Sequence, residues 1–99
     1  MEIIKTLDGN CLTIALTEKL DTTSAPALEE ELGKSLEGVE TLIFDFSKLN
    51  YLSSAGLRVL LNTQKVMLKK GKMIIKHPND VIMSVFDMTG FSTILTIED

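Results

Sequence analysis

The 99-residue chain is long enough for one compact domain, and its 44% apolar content argues against intrinsic disorder. A formal net charge of −4 argues against a nucleic acid or an anionic membrane as the main partner. The single cysteine, Cys11, excludes an internal disulfide, and no secretory signal, membrane-inserting stretch or lipidation motif is visible. We expect one domain over residues 1–99, located in the cytoplasm.

The first third of the chain predicts a hairpin followed by a helix. Strands are expected at residues 2–7 and 11–16, joined by an Asp-Gly-Asn turn at 8–10. In the second strand, apolar residues at 12, 14 and 16 alternate with smaller ones at 11, 13 and 15, and we interpret Cys11 as a small core residue. Hydroxyl residues at 22–24 and Pro26 then mark the start of a helix with leucines at helical spacing.

The rest of the chain alternates strands with helices. A nearly continuous apolar run at about 39–46 is typical of a strand buried on both faces. A helix is expected from Ser54 to about Lys70, followed by a strand at 72–76. Residues 78–80 open a third helix that Gly90 closes, and 92–97 form a last short strand.

This element order predicts an α/β fold. Alternating strands and helices build a parallel sheet through right-handed crossovers, and the initial hairpin adds an antiparallel pair. We therefore expect a small mixed β-sheet of four to five strands, with an antiparallel hairpin at its start, a parallel centre and three to four helices.

Residues suited to catalysis are scarce. The only histidine, His77, stands between Lys76 and Pro78, and Ser53 and Ser54 lack the glycine pattern of a serine-hydrolase elbow. No nucleotide-binding glycine motif and no histidine–cysteine cluster for a metal is present. Asp45 could suit a phosphoacceptor of the receiver type, but the acidic companions that would hold Mg²⁺ are missing. We expect no enzyme activity, no metal and no cofactor.

A pair of serines joins the third strand to the second helix. Ser53 or Ser54 can cap the helix, whose first amides lack partners within the helix. The same amides can hold a phosphate, so a hydroxyl here also suits a phosphorylation site. Such a phosphate would change the surface shown to a partner. We expect Glu18, Asp21 and Asp45 on the same rim, because all three stand at or just beyond predicted strand ends.

Three segments resemble one known family. DFSKLNYLSSAGLRVLL at 45–61 resembles the central signature of the STAS domain of bacterial anti-sigma factor antagonists. EKLDTTSAPAL at 18–28 and VFDMTGFSTILTI at 85–97 resemble its Leu-Asp segment and its terminal helix and strand. The resemblance covers nearly the whole chain and implies a STAS-like fold with the element order given above.

The resemblance also implies a set of site residues. The family's phosphoacceptor corresponds to Ser54, while Ser53 stands where the family usually has an aspartate. That departure either alters recognition by a kinase or lets Ser53 compete as the acceptor. The residues implied in partner binding are Asp21, Thr22, Thr23, Asp45, Ser47, Ser53, Ala55 and Gly56.

The function implied by the resemblance is partner switching in transcription regulation. The unphosphorylated domain would bind a cognate anti-sigma factor that is also a serine kinase. Phosphorylation of Ser54 would end the association, and a PP2C-type phosphatase would restore it. The alternative is a STAS interaction module that does not switch, such as a scaffold or a cytosolic subunit associated with a transporter. The departure at Ser53 motivates that alternative.

Overall fold

The computed structural model describes residues 1–98 and contains one mixed sheet. Its strands lie in the order β1-β2-β3-β4-β5; β1 and β2 are antiparallel and the remaining pairs are parallel. The mixed sheet with an antiparallel start and a parallel centre is confirmed. The elements are β1 (Ile3–Asp8), β2 (Cys11–Leu20), α1 (Ala25–Ser35), β3 (Thr41–Leu52), α2 (Ser54–Leu68), β4 (Lys72–Lys76), α3 (Asp80–Thr89), a 3₁₀ turn (Phe91–Thr93) and β5 (Thr96–Glu98).

One face of the sheet carries the core. The strand register aligns Ile14 with Phe44 and Phe44 with Ile75, and all three side chains are fully buried. Leucines, isoleucine and phenylalanine from all three α-helices join the same apolar cluster, so the helices pack on this face. The predicted alternation of β2 is confirmed, because residues 12, 14 and 16 are buried and 11, 13 and 15 only partly so.

Two predictions about the opposite face of the sheet are wrong. In β3, Leu42 and Phe44 are buried but Ile43 is only half-buried, so the prediction of burial on both faces is wrong for this strand. The reason is that the helices join the core on the other face. Cys11 also points to this less covered face and is half-buried, so it is not a residue of the main core.

Strands β2 and β3 both run further than the sequence predicted. They end at Leu20 and Leu52, and their parallel pairing continues past two register shifts, between Ala15 and Thr17 and between Glu18 and Lys19. Such bulges break the alternation of apolar residues while leaving the strands paired. The predicted strand ends at residues 16 and 46 are therefore wrong.

The helices begin close to their predicted positions. Helix α2 starts at Ser54, as expected, and ends at Leu68. Helix α3 follows Asn79, whose side-chain oxygen accepts from the Ile82 amide at 2.8 Å and caps the helix. The last strand is shorter than predicted, because part of the expected run forms the 3₁₀ turn.

Candidate functional site

The junction between β3 and α2 forms the centre of the candidate site. Ser53 is the N-cap residue and has an extended backbone, with φ −95° and ψ 175°. Its amide donates to the Leu20 carbonyl at 2.9 Å, and its carbonyl accepts from the Leu57 amide at 3.0 Å. The first bond ties the start of α2 to the end of β2, and the second closes the first turn of the helix, so this turn has a fixed position.

The two serines of the junction have different surroundings. The Ser54 side chain is exposed at the first position of α2, whereas the Ser53 hydroxyl oxygen is buried and has no hydrogen-bond partner among residues 1–98. Ser53 therefore occupies the cap position without capping through its side chain. The amides of residues 54–56 likewise have no hydrogen-bond acceptor among residues 1–98. They remain available to an anion at the helix start.

Gly56 allows the first turn of α2 to approach the strands closely. A Cβ atom at this position would lie 2.6 Å from Leu52 Cδ1, 2.8 Å from Leu20 Cγ and 3.0 Å from the Leu20 carbonyl oxygen. Both leucines are fully buried. A glycine is needed here because of this contact, which brings the exposed serine next to the end of β2.

The turn between β2 and α1 lies beside this junction. The Asp21 carboxylate accepts from the Thr23 hydroxyl at 2.7 Å and from the Thr23 amide at 3.0 Å, with a longer bond from the Ser24 amide at 3.3 Å. These hydrogen bonds, that of the Thr23 hydroxyl first, lower the pKa of Asp21. The turn thus presents a negative charge at neutral pH next to the start of α2.

A shallow groove of about 160 Å³ runs between the starts of the two helices. Arg58 and Glu29 stand in its walls, and the sequence interpretation assigned a role to neither. Arg58 could have been found, because it follows Ser54 by four residues and therefore shares its helix face. The presence of Glu29 in the groove depends on how α1 packs against α2, and the local spacing of residues does not encode this packing. The lining residues are Thr22, Ala25, Pro26, Glu29, Ala55, Arg58 and Val59.

The structure brings most of the expected site residues together, but not all. The turn that holds residues 21–23 and the junction of residues 53–56 are joined by the bond between Ser53 and Leu20. Asp45 and Ser47 lie elsewhere. Asp45 belongs to the middle of β3, on the less covered face, where it aligns with Ala15 and Lys76. The expectation that Asp45 shares the rim of the serines is wrong, because β3 continues to Leu52.

Asp45 and Ser47 form a separate polar spot. The Asp45 carboxylate accepts from the Ser47 amide at 3.0 Å, and both residues line a pocket of about 160 Å³ together with Ile4 and Lys48. Desolvation alone would raise the pKa of Asp45, but the hydrogen bonds of Ser47 and the charges of His77 and Lys48 outweigh it and lower the pKa. This pocket shares no residue with the groove at the helix starts.

Residues 1–98 lack two features on which other chemistries depend. They contain no group of three or more histidine, cysteine, aspartate or glutamate side chains that could hold a metal ion. Among these residues, no helix combines the length and apolar character needed to cross a membrane.

Glu18, which was expected on the rim, is exposed in the β2 bulge with a φ of 66°, and its carboxylate lies 3.6 Å from the amino group of Met1.

Comparisons with known proteins agree on one family. The STAS domain matches residues 2–99. BtrV of Bordetella bronchiseptica, named as a candidate anti-sigma factor antagonist, is 30% identical over 92% of this chain and 79% of its own length. The anti-sigma-B factor antagonist of Bacillus subtilis is 28% identical over 89% of this chain and 82% of its own length.

Solved structures show the same fold. The anti-sigma factor antagonist SpoIIAA in its unphosphorylated form superposes with a TM-score of 0.85 at 18% identity, covering 99% of this chain and 89% of its own. The phosphorylated form of the Bacillus protein SpoIIAA gives a TM-score of 0.77 at 18% identity, over 99% and 92% of the two chains. The sheet order, the β3–α2 junction and the match over residues 2–99 lead to one conclusion: the chain belongs to the STAS domain family.

Proposed function

We propose that this protein is an anti-sigma factor antagonist that switches partners through phosphorylation of Ser54. The observation that carries the proposal is the exposed Ser54 hydroxyl at the start of α2, above amides that have no acceptor in the described chain. Two relatives named as anti-sigma factor antagonists support the regulatory role. SpoIIAA, solved both with and without phosphorylation, supports a fold that tolerates the modification.

In the proposed cycle, the unphosphorylated protein binds an anti-sigma factor that is also a serine kinase. The docking surface is the start of α2 together with the Asp21 turn. The Ser54 oxygen attacks the γ-phosphorus of ATP bound to the kinase, the hydroxyl proton passes to a base of the kinase, and ADP leaves. This chain supplies a substrate hydroxyl and a surface, so it needs no cofactor of its own. A PP2C-type phosphatase removes the phosphate, and the cycle takes place in the cytoplasm.

The phosphate acts on the interface rather than on the fold. It adds about −1.5 to −2 charges at neutral pH, and the free amides of the first turn can bind it without unwinding α2. The Asp21 carboxylate already makes this surface negative. In a tight complex, the phosphate would lose its hydration and would be repelled by nearby negative charges. We therefore expect the affinity for the kinase to fall by about 5- to 150-fold.

Ser54 is the proposed acceptor rather than Ser53. The Ser53 oxygen is buried, and a kinase would have to unseat the N-cap residue to reach it. The replacement of the usual aspartate by Ser53 therefore changes the surroundings of the acceptor without supplying a second accessible hydroxyl.

Phosphosite mapping after incubation with the cognate kinase and ATP tests this proposal. We expect one phosphate on Ser54, its loss in Ser54→Ala and its retention in Ser53→Ala. By calorimetry, Ser54→Asp should bind the kinase more weakly than wild type, while circular dichroism shows an unchanged fold. Modification of another residue, or equal affinities of wild type and Ser54→Asp, would reject the switch.

A second candidate function is a STAS module that docks without switching, as a scaffold or a transport-associated subunit. The absence of the usual aspartate at Ser53 favours it. A pull-down that retrieves membrane transport components and no kinase would support this candidate against the first.

A further inference from the structure

The groove at the helix starts contains a cation to which the proposed switch gives no role. Arg58 is exposed on α2 and lines the groove. It takes part in none of the ion pairs found among residues 1–98, which join Met1 to Glu18, Lys5 to Glu31 and Lys34 to Glu30. Its guanidinium is therefore available for another anion.

The position of Arg58 in α2 directs it towards Ser54. The Cα–Cβ bonds of a helix tilt towards its N-terminus, so a residue four positions later lies over the earlier one. Arg58 follows Ser54 by four residues, and it lines the groove together with Ala55, the residue directly after Ser54. The long guanidinium side chain can thus reach the space above the exposed serine hydroxyl.

The charges around this space act on an added anion in opposite directions. The first turns of α1 and α2 contain no acidic residue, so the positive end of α2 is not offset by a carboxylate of its own helix. The acidic residue of the groove lining is Glu29 from α1, and Asp21 lies nearby in the turn that precedes α1. Both would repel a phosphate, and Arg58 is the positively charged side chain of the groove lining that can offset them.

We propose that Arg58 binds the phosphate carried by Ser54 and holds it in the groove between α1 and α2. This inference rests on the proposed function in one respect, which is that Ser54 receives a phosphate. The guanidinium fork matches two phosphate oxygens, and the free amides of residues 54–56 take the remaining contacts. Arg58 then neutralises part of the new charge and orders the modified helix start against the body of the domain.

The test uses phosphoserine encoded at position 54 during translation, so that no kinase is required. The second ionisation of the phosphate is followed by ³¹P NMR as a function of pH in wild type, Arg58→Gln and Arg58→Lys. A bound guanidinium stabilises the dianion, so we expect the phosphoserine pKa to be lower in wild type than in Arg58→Gln by about half a unit. Arg58→Lys should lie between them, because an ammonium lacks the planar fork.

Two further variants serve as controls. Lys65→Gln removes an exposed cation from the last turn of the same helix and should leave the phosphoserine pKa unchanged. Glu29→Gln removes the competing carboxylate across the groove and should lower the pKa further. Circular dichroism verifies that each variant is folded, as expected for exposed positions.

The outcomes separate this inference from the proposed function. Equal pKa values in wild type and Arg58→Gln, or a shift of the same size in Lys65→Gln, overturn the contact with Arg58 even if a kinase modifies Ser54. A lower pKa that depends on Arg58 upholds the contact, even if the cognate kinase leaves Ser54 unmodified and the proposed switch is thereby rejected.

Discussion

Replacing Gly56 by alanine tests how the first turn of α2 is seated on the sheet. The added methyl would lie 2.6 Å from Leu52 Cδ1 and 2.8 Å from Leu20 Cγ, about 1 Å closer than a favourable carbon–carbon contact. Leu20 and Leu52 are 0% and 1% exposed, so neither has solvent into which it can move. The Leu20 carbonyl oxygen, 3.0 Å away, is fixed by its bond to the Ser53 amide. The helix start must therefore shift outward.

The size of the effect follows from two opposing contributions. Overpacking of a buried site costs about 1–3 kcal/mol, while alanine in place of glycine inside a helix contributes up to about 1 kcal/mol of stability. We expect a net destabilisation of about 1–2 kcal/mol, with a Tm lowered by about 4–8 °C for each kcal/mol.

The matched control is Gly33→Ala, which also places a methyl on a helix. Gly33 is exposed in α1, and a Cβ there would meet nothing within 4 Å. Only the helix preference remains, so this variant should gain about 0.5–1 kcal/mol. Urea denaturation followed by circular dichroism measures both variants against wild type under one set of conditions.

The two variants must therefore move in opposite directions. If Gly56→Ala is as stable as wild type, or gains as much as Gly33→Ala, the close approach does not constrain the turn and the reasoning fails. If the proposed kinase docks at this surface, the displaced helix start should also weaken its binding in Gly56→Ala and leave it unchanged in Gly33→Ala, because only the former moves Ser54. Calorimetry on the folded fraction of each variant measures this difference.

Three further predictions concern the turns around the sheet. Gly71→Ala should destabilise the protein by about 3 kcal/mol in urea denaturation, because the methyl would overlap the Glu40 backbone carbonyl; wild-type stability would refute this. The carboxylate of Asp21 has a pKa lowered below 3.8 by folding, so its stabilisation is present above that pH and disappears as the pH falls through the folded-state value. Asp21→Asn should therefore be less stable than wild type at neutral pH and approach the stability of wild type in acid. Denaturation curves at several pH values measure this difference, and a difference that stays constant with pH would refute the idea. Asn79→Ala should cost about 1–2 kcal/mol through loss of the α3 cap. Asn79→Asp keeps the acceptor for Ile82 and loses only the 3.2 Å bond that the side-chain amide donates to the Leu49 carbonyl, so it should lose less; equal losses in the two variants would contradict a capping role.

The sequence predicted the fold because the core follows a simple period. Residues 12, 14 and 16 of β2 alternate with less buried neighbours, as predicted. The alternation that buries Leu42 and Phe44 in β3 was not predicted, because the sequence of that strand is apolar at nearly every position. The helix starts were also predictable, since α2 begins at a small polar residue and α3 at an asparagine that caps it. These are local signals, and each is encoded within a few consecutive residues.

The ends of the strands were not predictable in the same way. Beyond the first register shift, β2 and β3 stay paired through their backbones, while polar side chains at 17–19 and 47–48 interrupt the apolar pattern. A backbone hydrogen bond leaves no period in the sequence. This is why Asp45 was expected at a strand end and instead lies in the middle of β3.

The composition of the junction can now be explained by packing and exposure together. Gly56 must be small because Leu20 and Leu52 occupy the space where a side chain would begin, and the Ser53 side chain lies in a site that already buries its oxygen. Ser54 is the residue of the junction that can vary its chemistry at no cost to packing, because its side chain points to solvent. A phosphate placed there changes charge at a position where the fold has no contact to lose. A switch that acts on docking while sparing stability therefore requires this residue and not its neighbours to carry the modification.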